Sequence, residues 1–161
     1  IDYAAVRIKR RKFFPLQPRG VTMAPMGHLH FHPHAPQYCD DFAAASLDRQ
    51  GHFIHEMVHV WQHQQGISLI WQRPPFARYS YLPLMPGKPF SAYGLEQQAE
   101  IVKDAYLLSV ATATAQCDAL IAEGVEHLHI YTLNNPDLPY DVCRAIGYVP
   151  APLVAAEGGA A

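Results

Sequence analysis

Charge is scarce in this chain of 161 residues. Only 16% of its positions are Asp, Glu, Lys or Arg, against an average of about 25%. Its 12 Lys and Arg oppose 14 Asp and Glu, for a net charge of −2. That balance excludes a generic nucleic-acid binder, whose affinity rests on a basic field. Cysteine is scarce too: Cys39, Cys117 and Cys143, with no Cys-x-x-Cys pair. Neither a disulfide framework nor a thiolate zinc knuckle follows, and at most one bridge can form, which leaves the redox compartment open. No uninterrupted apolar run approaches the roughly 18 residues of a membrane span. The chain starts at Ile1, not Met, with no charged-then-apolar signal segment, and reads as a piece of a longer polypeptide or a trimmed one. What is plentiful is apolar: 50% hydrophobic and 11% aromatic residues are enough to collapse around a core. One domain over residues 1–161 is expected. Ten histidines are the first functional hint.

Residues 1–20 form a basic arm with Arg7, Lys9, Arg10, Arg11 and Lys12. They read as an exposed arm or edge strand, or as a docking segment for a parent protein or an acidic surface. Residues 27–32 alternate, with Leu29 and Phe31 on one face and His28, His30 and His32 on the other, which predicts a strand, at an edge or bulged because of Pro25 and Gly27. A helix is expected from about Leu47 to Gln65, started by Ser46 or Asp48 and ended by Gly66, with Phe53, Ile54, Met57, Val58 and Trp61 on its apolar face. Trp61 is expected in the core between the two long helices. Residues 67–94, rich in proline and aromatics, read as a packed loop or short hairpin. A second long helix runs over residues 95–123 and stops at Gly124. Residues 125–133 read as strand or helix and residues 139–146 as a short last helix. Residues 151–161 are expected to fray. No internal repeat is visible.

The sharpest signal is His55-Glu56-Met57-Val58-His59. Histidines four apart on a helix lie about 40° apart around the axis and about 6 Å apart along it, so both imidazoles can meet one metal ion. Glu56 then sits on the flank, where a carboxylate can reach a water at the metal without being a ligand. For this composition the motif is expected by chance about 0.02 times. A catalytic zinc needs a third protein ligand and an open position. Glu96 and Glu100, again four apart on a helix, are the best donors. Glu96 is assigned to the metal and Glu100 to the free N–H of a ligand histidine; the reverse assignment stays open.

The run His55-Glu56-Met57-Val58-His59-Val60-Trp61-Gln62, followed by Glu96-Gln97-Gln98-Ala99-Glu100, resembles a gluzincin metallopeptidase. In that clan a second helix carries Glu-x-x-x-Asp, whose first acid binds zinc and whose last orients a histidine. Here the last acid is Glu100, one methylene longer. More narrowly, residues 53–65, 27–32 and 93–104 resemble the metallopeptidase domains attached to type VI secretion spike (VgrG-type) proteins and related bacterial toxins. The resemblance covers about residues 20–110. It implies an α+β, zincin-like fold: two long packed helices carrying the ligands plus a small edge-strand sheet. It further implies a secreted antibacterial effector or toxin domain, with an immunity protein or a secretion spike as partner and the target cell, in its periplasm, as destination.

The expected chemistry is zinc-dependent cleavage of a peptide, protein or cell-wall amide. His55, His59 and Glu96 hold Zn2+, and Glu56 takes the proton of the attacking water and passes it to the leaving amine. Tyr93 and Tyr81 are candidates for stabilising the developing oxyanion. His28, His30, His32 and His34 face either solvent, substrate or a second metal. His52 and His63 read as surface or cap groups, and His127 and His129 as further candidates near the oxyanion. The rival reading is a non-catalytic, zinc-stabilised module that docks to a secretion or partner protein.

Overall fold

The computed structural model describes residues 1–72, 77–125 and 142–143. The expectations for residues 125–133, His127, His129, the last helix and the frayed tail thus fall almost wholly outside the described residues. Contacts divide the chain into two compact units, residues 1–108 and 109–161. The elements are β1 (Ile8–Lys9), β2 (Leu29–His30), α1 (Leu47–Gln64), α2 (Leu69–Gln72) and α3 (Leu95–Ala122). The fold is mixed, helices with one small sheet.

The sheet is built around β2. β1 pairs with it in parallel, Ile8 opposite Leu29 and Lys9 opposite His30. Met23 bridges His30 from the other side in the antiparallel sense, exchanging bonds of 3.1 and 2.8 Å. The segment read as an edge strand is therefore the middle of the sheet, and the edge belongs to β1, inside the basic arm. This corrects the expected histidine face. His30 and His32 are both buried, because Phe13 packs edge-on against His30 at 5.3 Å and Gln17 donates to the His30 carbonyl. Period-two alternation fixes which side chains share a face, but not whether a neighbouring segment covers that face.

α1 starts at Ser46 with Asp48 in its first turn. It ends in a Schellman turn: Gly66, at φ +83°, lets its own N–H reach His63 O and the Ile67 N–H reach Gln62 O. One apolar stripe of α1 packs Met57 and Val60 into a core with Leu29, Phe31, Phe42, Ala24 and Ala35. Phe53 stacks on Phe42 at 4.5 Å. Phe31, fully buried, is the largest side chain there. Trp61 is only half-buried and leans on the Phe90 ring at 6.4 Å, so it is not the core residue its spacing suggested. The stripe that includes position 61 faces the 67–94 loop instead. Phe31→Ala should cost about 3–5 kcal/mol and Trp61→Ala clearly less, measured by urea unfolding; equal losses would contradict this placement.

α3 begins where Gln97 reaches back to the Gly94 N–H, half of a capping box. Within the first unit, α1 and α3 run antiparallel with facing side chains. Gly51 lies so close to Leu107 that a Cβ there would sit 3.2 Å from its Cδ1, and Tyr106 donates to Gln50. At the other end Gln62 meets Leu95 and Gln98. By length and composition alone α3 is long and apolar enough to cross a membrane. That departs from the expectation that no segment reaches this length. Its Ala, Leu, Ile and Val residues keep the helix apolar on average, although polar residues such as Gln, Lys, Asp, Ser and Thr interrupt every apolar run.

Candidate metal centre

Two turns of α1 and the first turns of α3 face each other in the first unit. From α1 come His55 and His59, their rings 5.0 Å apart and nearly perpendicular. From α3 comes Glu96, with Oε2 at 3.3 Å from Nε2 of both histidines. One donor atom from each of the three lies within 4.8 Å of the others. All three side chains are buried, Glu96 to 2% exposure. Two imidazole nitrogens and one carboxylate oxygen, with space beside them, are the donor set of a catalytic zinc. The residues fit that group.

The local field points the same way. Burial works to lower the His59 pKa, but the hydrogen bond and charge of Glu96, with the charge of Glu56, carry it above its ordinary value. A field that favours a proton at that nitrogen also favours a divalent cation. One helical turn beyond Glu96, Glu100 Oε1 stands 2.9 Å from His55 Nδ1, and Lys103 pairs with its other oxygen. A cavity of about 850 Å3 opens over these groups, with Glu56 in its wall.

No family model matches the chain. It is 41% identical over 115 residues to the type VI secretion system spike protein VgrG2b of Pseudomonas aeruginosa. That alignment covers 66% of this chain but only 11% of the spike protein's length. The solved effector domain of Pseudomonas aeruginosa VgrG2b superposes with a TM-score of 0.60 at 38% identity, covering 76% of this chain and 70% of that domain. The chain belongs to the VgrG2b effector-domain family.

In this VgrG2b-type domain the two tyrosines singled out from sequence do not line the cavity. Tyr81 donates to Asp104 at 2.8 Å, and that bond, with burial, holds its phenol protonated, its pKa pushed up to about 12. Tyr93 is buried, its hydroxyl accepts from the Met85 N–H, and Lys88 lies over its ring at 4.0 Å. The cavity takes Tyr79 instead, whose ring lies nearly parallel to His55 at 6.2 Å between centroids. None of His28, His30, His32 or His34 lines it. His52, read as a surface or cap group, does. It sits one turn before Glu56, with Nε2 at 2.8 Å from Thr22 Oγ1 and 4.0 Å from Glu56 Oε1. Burial lowers its pKa, which favours the neutral imidazole. Sequence reasoning also missed Gln62 and Gln98. Both are buried polar residues, Gln62 in contact with His59 and Gln98 with Gln62; the i+3 spacing of Gln62 from His59 was the available signal.

Proposed function

We propose that this effector domain is a zincin-like zinc hydrolase that cleaves an amide bond. The observation that carries the reading is the convergence of His55, His59 and Glu96 beside an open cavity with Glu56 in its wall. Zinc bound there would acidify a water and polarise the scissile carbonyl. Glu56, which is buried in the cavity wall, would serve as the general base that takes a proton from the attacking water and passes it to the leaving nitrogen. Glu100, whose carboxylate stands 2.9 Å from His55 Nδ1, would by its charge favour the ring orientation that turns Nε2 toward the site. Tyr79 replaces Tyr81 and Tyr93 as the phenol donor to the developing oxyanion. Tyr79→Phe should lower kcat by about 100-fold or more with little change in zinc content, as removal of one oxyanion donor does; an unchanged kcat would return the role to another group.

A structural zinc site is closed by four protein ligands. Among the described residues three converge here, which favours the enzyme over a docking module. Membership of the family supports delivery into a target cell by a type VI spike; a peptide, protein or cell-wall substrate, an immunity protein and action in the periplasm belong to the same proposal. Metal analysis coupled to proteomic and cell-wall cleavage profiling tests it. One zinc per chain and chelator-sensitive cleavage are expected; a metal-free protein, or cleavage indifferent to chelation, would overturn it.

A further inference from the structure

Gln62 is a fully buried carboxamide, and a buried carboxamide is costly unless its polar atoms are bonded. Here they are all served, and the pattern is directional. Gln98 Nε2 donates to the Tyr93 carbonyl at 2.9 Å, so Gln98 must turn its oxygen the other way. That oxygen and the Leu95 carbonyl are acceptors only, and they lie 3.0 and 3.1 Å from Gln62 Nε2. The amide nitrogen of Gln62 is therefore on their side, and its Oε1 is the atom 2.9 Å from His59 Nδ1. An amide oxygen carries no hydrogen, so the hydrogen in that contact is on His59 Nδ1. Two backbone carbonyls thus fix the flips of two carboxamides, and the carboxamides fix the proton on an imidazole.

We infer that Gln62 is a positioning residue that holds His59 in the Nδ1–H form with Nε2 presented to the metal, and that Gln98 keeps Gln62 from flipping. The inference rests on the reading of His55, His59 and Glu96 as a zinc site. The two ligand histidines are then oriented by unlike groups. His55 has the carboxylate of Glu100, partly exposed and shared with Lys103. His59 has a neutral amide, in a fully buried place where Glu56 and Glu96 already put carboxylates nearby. A third buried carboxylate beside them would carry a large desolvation cost, which a carboxamide avoids while still accepting the hydrogen bond.

The test compares zinc affinity, by competition with a chromophoric chelator, in the wild type, Gln62→Leu and Gln62→Glu. Gln62→Leu fills the space but accepts nothing, and should weaken zinc binding by about 10–100-fold. Gln62→Glu, buried as the neutral acid, keeps one O–H toward the Leu95 and Gln98 acceptors and one oxygen toward His59 Nδ1, and should bind zinc more tightly than Gln62→Leu. A purely space-filling role gives the opposite order, because leucine suits a buried slot and a carboxyl group does not. Wild-type protein loaded with zinc should also show a slowly exchanging His59 Hδ1 resonance with Nε2 metallated. This measurement decides the matter even if a variant fails to fold. Affinity unchanged in Gln62→Leu, or a His59 lacking Hδ1, would overturn the relay alone. A wild type that takes up no zinc would overturn the metal reading beneath it.

Discussion

Glu56→Ala should leave the protein folded and zinc-loaded, yet lower kcat by about 100- to 10,000-fold, the usual contribution of a positioned general base. The two effects separate because Glu56 is outside the converging donor set of His55, His59 and Glu96 but inside the cavity wall. Its place follows from helix geometry: one residue past His55, it is turned about 100° from it around the axis, beside the three donors and not among them. Glu56 is nevertheless buried, so a carboxylate is being kept out of water for a purpose other than solubility. Zinc content by metal analysis and turnover on a substrate found by cleavage profiling check the prediction together. Full turnover in Glu56→Ala would remove the general-base role; loss of zinc with turnover would make Glu56 a ligand.

The parts of the site that were legible in sequence are those that local geometry decides. Four-residue spacing on a helix places His55 and His59 together, and the same spacing puts Glu96 and Glu100 on one face. Helix ends were legible for a similar reason: Gly66 and Gly124 adopt the positive φ that closes a Schellman turn. What depends on distant segments was not legible. Whether His30 is exposed depends on Phe13 and Gln17, which reach it from the basic arm. Which tyrosine faces the cavity depends on the path of the 67–94 loop, where Tyr79 and Tyr81, being two apart in an extended segment, gave no way to choose. Trp61 was misjudged because a helix can bury more than one stripe, and the stripe that holds Met57 and Val60 takes the core. Gln62 was passed over because a polar residue on a helix ordinarily reads as solvent-facing.

Glu96→Ala should reduce zinc affinity by well over 100-fold, whereas Glu100→Ala should reduce it by about 10–100-fold, as the loss of a group orienting a ligand does. The contrast rests on position. Glu96 places one oxygen 3.3 Å from both imidazoles, so its removal takes away a donor. Glu100 touches His55 only at Nδ1, on the far side of the ring from the metal, and its side chain is 20% exposed and shared with Lys103. Without it a water can accept from the imidazole in its place. Zinc held by these three donors would join two helices and so would couple to stability: a ligand at about 100 times its Kd adds about 2.7 kcal/mol. Chelation should lower the unfolding free energy by about that order and leave the helical content intact. α1 keeps its packing through Met57 and Val60, which do not depend on the metal. Chelator competition on the two alanine variants, with unfolding followed by circular dichroism with and without chelator, measures both effects. If Glu100→Ala strips the zinc while Glu96→Ala keeps it, the two carboxylates have exchanged roles.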